Sequence, residues 1–213
     1  MFKFNVNKVI KTLILFDLAT LSGWGLLSPI FAIFITKQIT GGTLVVVGLA
    51  IAIYWLTKSL VQWPIARYLD KTPSENDDLY SLIMGSCLVV VVPFGYIFAT
   101  LPLHIYLLEV IVAIGDAMIV PAWYAIFTRH VNKFQIGSEW TLNSVSIGIG
   151  TAVAAALGGW LANSFGFPVV FILVGILSAV GVLILLGLTK HIIREKPEKL
   201  EKVFPEEPFK QIK

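Results

Sequence analysis

Four ionisable side chains lie inside long apolar runs of this chain: Asp17, Lys58, Glu109 and Asp116. A charge in hydrocarbon costs roughly 2.5–3.5 kcal/mol on insertion scales, so these groups should face water or one another rather than lipid. Residues three or four apart share a helix face. That spacing sorts the polar residues into four stripes: Asp17, Thr20, Trp24 and Ser28; Tyr54, Lys58 and Gln62; Glu109, Ala113, Asp116, Val120 and Trp123; Glu139, Asn143, Ser146 and Gly150. The stripes read as walls of an aqueous cavity. Such residue types can pair ions, take up a proton or cation, and stack a solute on Trp24, Tyr54, Trp123 or Tyr124.

Each assignment has a plainer alternative. Lys58 could snorkel to an interface, but Arg67 lies nine residues away, or ~13 Å along a helix, further than a lysine stem reaches comfortably. Asp116 could form a buried pair with Lys58 that only stabilises the fold. Asp17 and Glu139 lie near the ends of their runs and could be interfacial. Enzymatic chemistry finds little support: there is no metal-spaced histidine cluster, nucleophile motif or phosphate-binding loop, and no cofactor is expected. His104, His130 and His191 fall near the ends of apolar runs, where interfacial roles are expected. A single cysteine, Cys87, allows no disulfide within one chain.

The elements that must position these residues follow from composition. The 213 residues are 57% apolar and 14% charged, with a mean hydropathy of +0.85. Soluble domains carry about 25% charged residues, so the solvent here is lipid. The reading is an all-α polytopic membrane protein with six transmembrane helices near 9–36, 43–69, 79–101, 103–127, 140–163 and 168–188. About 20 residues span a bilayer, so the first two helices must tilt, kink or project. Pro29 and the Gly23-Trp24-Gly25 run predict a bend in the first. The third and sixth helices carry no internal charge and are placed outside the polar face. The bundle, 1–189, reads as two three-helix repeats, about 9–101 and 103–188. A tail, 190–213, mixes seven basic with five acidic residues and three prolines, which suits a solvated segment.

Topology follows from the basic residues. With the N-terminus inside, Lys3, Lys8, Lys11, Arg67, Lys71, Arg129, Lys133 and seven tail residues are internal, 14 of the 16 Lys and Arg. Only Lys37 falls in an outer loop. The positive-inside rule therefore places both termini in the cytoplasm of a cell-membrane protein. The first helix is read as retained, since no cleavage site follows it. The net charge of +3 has this explanation and implies no nucleic-acid partner.

Two segments carry a resemblance. Gly150-Thr-Ala-Val-Ala-Ala-Ala-Leu-Gly-Gly-Trp-Leu-Ala-Asn-Ser-Phe-Gly166 resembles the fifth helix and the entry to the sixth in the major facilitator superfamily. Pro64-Ile-Ala-Arg-Tyr-Leu-Asp70-Lys71 is similar to the start of that family's signature loop, with Ala66 in place of its glycine, Asp70 of its acidic residue and Lys71 of its first arginine. The resemblance covers about 9–190, one six-helix half of the family's twelve. It implies a gating role for the loop with Arg67, Asp70 and Lys71. Gly148, Gly150, Gly158 and Gly159 are read as close helix packing. The chain departs from the pattern where the loop continues Thr-Pro-Ser-Glu-Asn-Asp-Asp78, where Ala154-Ala155 replace an antiporter-type Gly-Pro, and where Glu109 stands in place of an arginine.

A single half would turn its polar stripes to lipid. The resemblance therefore implies a homodimer of two parallel copies, transporting a small molecule by alternating access, with proton coupling left open. In that assembly Asp70 should meet the start of the partner's fifth helix, around residues 137–141. A different half as partner, a non-transporting scaffold, or a gene fragment are the alternatives.

Overall fold

In lipid every backbone N–H and C=O must be satisfied within the protein, which leaves helices for a chain of this composition. The structure, a computed structural model, describes residues 6–71 and 74–192. It consists of α1 (Lys8–Leu27), α2 (Phe31–Gln38), α3 (Leu44–Lys71), α4 (Glu75–Ile97), α5 (Pro102–His130), α6 (Ile136–Phe165) and α7 (Phe167–Ile192). All but α2 are long and apolar enough to cross a membrane. The spanning helices have 20 to 30 residues, roughly 30–45 Å at 1.5 Å per residue. The segment 193–213, most of the expected tail, lies outside the described residues.

Three boundaries differ from expectation. The single helix expected at 9–36 is broken: α1 stops at Leu27 and the chain turns through Ser28, Pro29 and Ile30 before α2. Pro29 has no N–H for the next helical bond and its ring crowds the preceding turn. The helix restarts where Phe34 donates to the Ile30 carbonyl (2.8 Å). By contrast, α3, α4 and α5 run on through Pro64, Pro93 and Pro121.

The acidic run assigned to a loop is the first turn of α4. Ser74 caps it, accepting from the Asn76 N–H (3.3 Å), and Glu75, Asp77 and Asp78 occupy the positive end of the helix dipole. The connection expected at 163–166 shrinks to one residue. Gly166, at φ +86°, ends α6 by donating to the Ala162 carbonyl (3.0 Å), a left-handed cap that favours glycine. Gly41 makes the expected turn before α3 at φ +76°.

The spans pack in the order α3, α5, α4, α7, α1, α6, with α3 and α6 as the two free flanks. Thus α3 and α4 pack on α5, while α6 and α7 pack on α1; α4 and α7 join the groups, and α1 barely touches α5. Each group mixes helices from both three-helix segments of the chain. Small residues permit the close crossings that lipid-embedded helices depend on. A Cβ on Gly158 would lie 2.0 Å from the Leu26 carbonyl oxygen, and one on Gly150 would lie 2.2 Å from Ser22 Oγ. Gly148 and Gly159 have no neighbour within 4 Å of such an atom, so neither makes a close crossing within one chain. Positions 150, 154 and 158 fall on the α1-facing side, and 148 and 159 point elsewhere.

Two apolar clusters fill the bundle. One, toward the end where α2 lies, centres on Phe34, stacked edge-on to Phe171 at 4.7 Å. The other, toward the end where α1 begins, centres on Phe127, 4.7 Å from Trp123 and 4.4 Å from Trp140.

Candidate functional site

Beside the first of these clusters lies a cavity of about 430 Å³, within the range of small-molecule sites. Its walls come from α1 (Thr20, Trp24, Ser28), α2 (Phe31), α3 (Ile51, Tyr54, Trp55), α4 (Val89, Tyr96) and α5 (Glu109, Val112, Asp116). Expected wall residues Trp24, Tyr54, Glu109 and Asp116 therefore share one space. α6 contributes none, although its stripe was read as a wall. α4, expected outside, contributes two.

The polar contacts inside are short and specific. Tyr54 and Lys58 stand one turn apart on α3. Tyr54 donates its hydroxyl to Asp116 Oδ2 at 2.5 Å. Lys58 Nζ donates to the Tyr54 hydroxyl at 3.0 Å and lies 3.5 Å from Asp116 Oδ2. The ammonium is also 5.4 Å and 5.3 Å from the ring centroids of Tyr54 and Trp55, close enough for cation–π attraction. The Lys58 side chain is 14% exposed against 29% for Asp116, so the cation sits behind the rings while the carboxylate reaches the cavity.

Glu109 lies two turns along α5 from Asp116. It is buried, and Oε1 accepts the Tyr96 hydroxyl at 2.7 Å. Hydrogen bonds to charged groups contribute about 1.5–3 kcal/mol each. Within hydrogen-bond reach Glu109 has the Tyr96 phenol and, among the described residues, no cation.

Other candidates sit elsewhere. Asp17 is buried and accepts from Asn143 Nδ2 at 3.1 Å, joining α1 to α6 outside the cavity walls. Trp123 is a correction: it stacks on Phe127 and packs against Trp140 and Tyr124. It does follow Asp116 by two turns, but at that depth the space is filled by rings. Glu139 is fully buried, and its Oε2 accepts the Asn132 N–H (3.0 Å) across the α5–α6 turn. Arg67, Asp70 and Lys71 are exposed at the end of α3 and form no ion pair among the described residues. The pairs at this end are Asp78 with Arg129, and Glu75 Oε1 with His130 Nε2 (2.7 Å). They tie the first turn of α4 to the last turn of α5.

Sequence reasoning missed Tyr96, Trp55 and Phe31. Tyr96 had a signal: a phenol within an uncharged apolar run needs a partner for its hydroxyl. No group of three His, Cys, Asp or Glu side chains converges on a metal site among the described residues.

Comparison with known proteins adds two findings. The sequence model of the Major Facilitator Superfamily matches residues 13–213. A protein of Methanocaldococcus jannaschii, named as an uncharacterized MFS-type transporter, is 22% identical over 183 residues, 85% of this chain and 46% of that protein. The chain thus spans about half the length of this relative.

Proposed function

The chain belongs to the major facilitator superfamily, and on that footing we propose that it forms half of a secondary transporter. It moves a small solute by alternating access in the cell membrane, as a homodimer with both termini cytoplasmic. The observation that carries this reading is the cavity lined by Asp116 and Glu109, with Lys58 paired to Asp116 behind its wall, beside two uncovered flanks. Leu21, Ile51 and Trp55 at the cavity wall are exposed, and a half facing lipid there would present its carboxylates to hydrocarbon. A second bundle removes that cost. The stripe Val145, Ile149, Val153 and Leu157 on α6, and Leu56, Leu60 and Trp63 on α3, are exposed as well. Lys8, Lys11, Arg67, Lys71, Arg129 and Lys133 lie toward one end of the bundle, which supports a cytoplasmic assignment for it.

The exposed Asp70 suits a contact with the partner copy. A shallow hollow lined by Gly137, Ser138 and Thr141 lies at the start of α6, where unpaired N–H groups favour a carboxylate. Glu139 beside that hollow is turned inward, its Oε2 accepting the Asn132 N–H, so Asp70 would meet the N–H groups of α6 without a direct clash of carboxylates.

A different half covering the same face is the competing reading, favoured by the relative's double length. Cysteines replacing Asp70 and Ser138 decide between them. Oxidation in native membranes should give a crosslinked species of twice the chain mass, and proteoliposomes should show solute flux across a solute panel. A monodisperse monomer in mild detergent, with no crosslink in membranes, would rule out the homodimer. Folded protein without flux of any solute would leave the scaffold reading.

A further inference from the structure

We propose that the cavity binds a monovalent organic cation bearing aromatic or bulky alkyl groups, held between Glu109 and a cage of aromatic rings. The inference names the substrate class of the transporter proposed above and rests on that reading for the role of the cavity.

Charge at the cavity wall is unevenly matched. Two carboxylates, Glu109 and Asp116, line it, and among the described residues no cationic side chain does. Asp116 is already matched, because Lys58 stands 3.5 Å from it. The Lys58 ammonium forms no hydrogen bond or ion pair with Glu109 among the described residues, and seven residues along α5 separate the backbones of Glu109 and Asp116 by roughly 10 Å. Its place over Tyr54 and Trp55 holds it behind the wall. Glu109, whose hydrogen-bond partner among the described residues is the Tyr96 hydroxyl, is the carboxyl of the wall with no cation beside it. When ionised it gives the cavity one negative charge in excess, and a bound cation favours that ionised form. A homodimer would double that excess, while its two Lys58–Asp116 pairs cancel.

The remaining wall selects the kind of cation. Trp24, Phe31, Tyr54, Trp55 and Tyr96 present five rings, and ring faces attract cations, most of all weakly hydrated ones. A hard inorganic ion asks for several oxygen ligands in a close cage. Here about 430 Å³ of mostly apolar space surrounds one unmatched carboxylate. The fit is to a charge spread over, or screened by, hydrocarbon: a quaternary ammonium, a phosphonium or a lipophilic amine.

The test is equilibrium binding of radiolabelled tetraphenylphosphonium to the purified full chain in detergent, measured apart from flux. Saturable binding is expected, displaced by excess unlabelled tetraphenylphosphonium. Triphenylphosphine oxide, neutral and bearing the same rings, should not displace it at equal concentration. Glu109→Gln should weaken binding at least tenfold, and Glu109→Asp should keep more affinity than Glu109→Gln. Trp24→Leu should weaken it several-fold, and it tests the cage even where the Glu109 variants do not fold. No saturable binding, equal displacement by the neutral oxide, or unchanged affinity in folded Glu109→Gln or Trp24→Leu would each overturn the proposal. Flux of other solutes without tetraphenylphosphonium binding would sink this inference and leave the transporter standing. Charge-dependent binding without any flux would uphold the site and sink the transporter.

Discussion

Gly85 and Gly115 bring the backbones of α4 and α5 together. A Cβ on Gly85 would lie 2.5 Å from the Gly115 carbonyl oxygen, and one on Gly115 would lie 2.8 Å from the Gly85 oxygen. Neither oxygen can rotate away as a side chain would. Gly85→Ala or Gly115→Ala must therefore push the helices apart, an overpacking cost of about 1–3 kcal/mol. Thermal denaturation in detergent should fall by several degrees for either variant, and for Gly158→Ala. Gly148→Ala should leave the monomer's stability unchanged.

The second prediction concerns the charged pair. Lys58→Ala leaves the Asp116 carboxylate without its cation, and transport should fall more than tenfold while the protein stays folded. Exchanging the two, with Lys58→Asp and Asp116→Lys together, should recover part of the flux. Normal flux in both single variants, measured in proteoliposomes, would reduce the pair to a structural role.

A third prediction separates two ion pairs at the basic end. The Asp78 side chain is 1% exposed and meets Arg129, whereas Glu75 is 26% exposed against His130. Arg129 is 41% exposed, so solvent reaches one side of its pair, but its loss leaves the Asp78 carboxylate buried without a cation. That is a larger cost than losing the Glu75–His130 contact, both of whose members reach solvent. Arg129→Ala should therefore destabilise the protein more than Glu75→Gln, as read by denaturant unfolding in mixed micelles.

Orientation supplies the fourth. In a Cys87→Ser background, single cysteines replacing Lys71 or Lys133 should react with an impermeant maleimide only from the cytoplasmic side. Cysteines replacing Lys37 or Ser164 should react only from outside. Labelling of position 164 from the cytoplasm alone would overturn the six-span topology.

Much of this organisation is legible in the residues, and the reasons differ by feature. Span number depends on summed hydropathy, which survives errors at individual positions. The joint placement of Tyr54, Lys58 and Asp116 follows from a helical period and the cost of isolated charge. The bend at Pro29 is legible beside the Gly23-Trp24-Gly25 run, but its depth is not: the helix breaks there outright, whereas Pro64, Pro93 and Pro121 leave their helices continuous. Periodicity gives a residue's direction but not what fills the space at its depth, and that is why Trp123 was placed on the cavity wall. Glycines 148 and 150 are two residues apart on α6, so they point to different sides, and composition alone assigns both to packing.

The packing order of the spans has a mechanical consequence. The helices form two leaves, α3–α4–α5 and α1–α6–α7, bound along a spine where α4 meets α7. Tyr54, Lys58, Tyr96, Glu109 and Asp116 all belong to the first leaf, and Asp17 with Asn143 to the second. Every hydrogen bond among these groups thus closes on its own page. A relative tilt of the leaves about the spine would break no polar bond of the cavity; at the basic end it would load the Asn7–His130 contact and the hydrogen bond from the Asn132 N–H to Glu139, which join the two leaves.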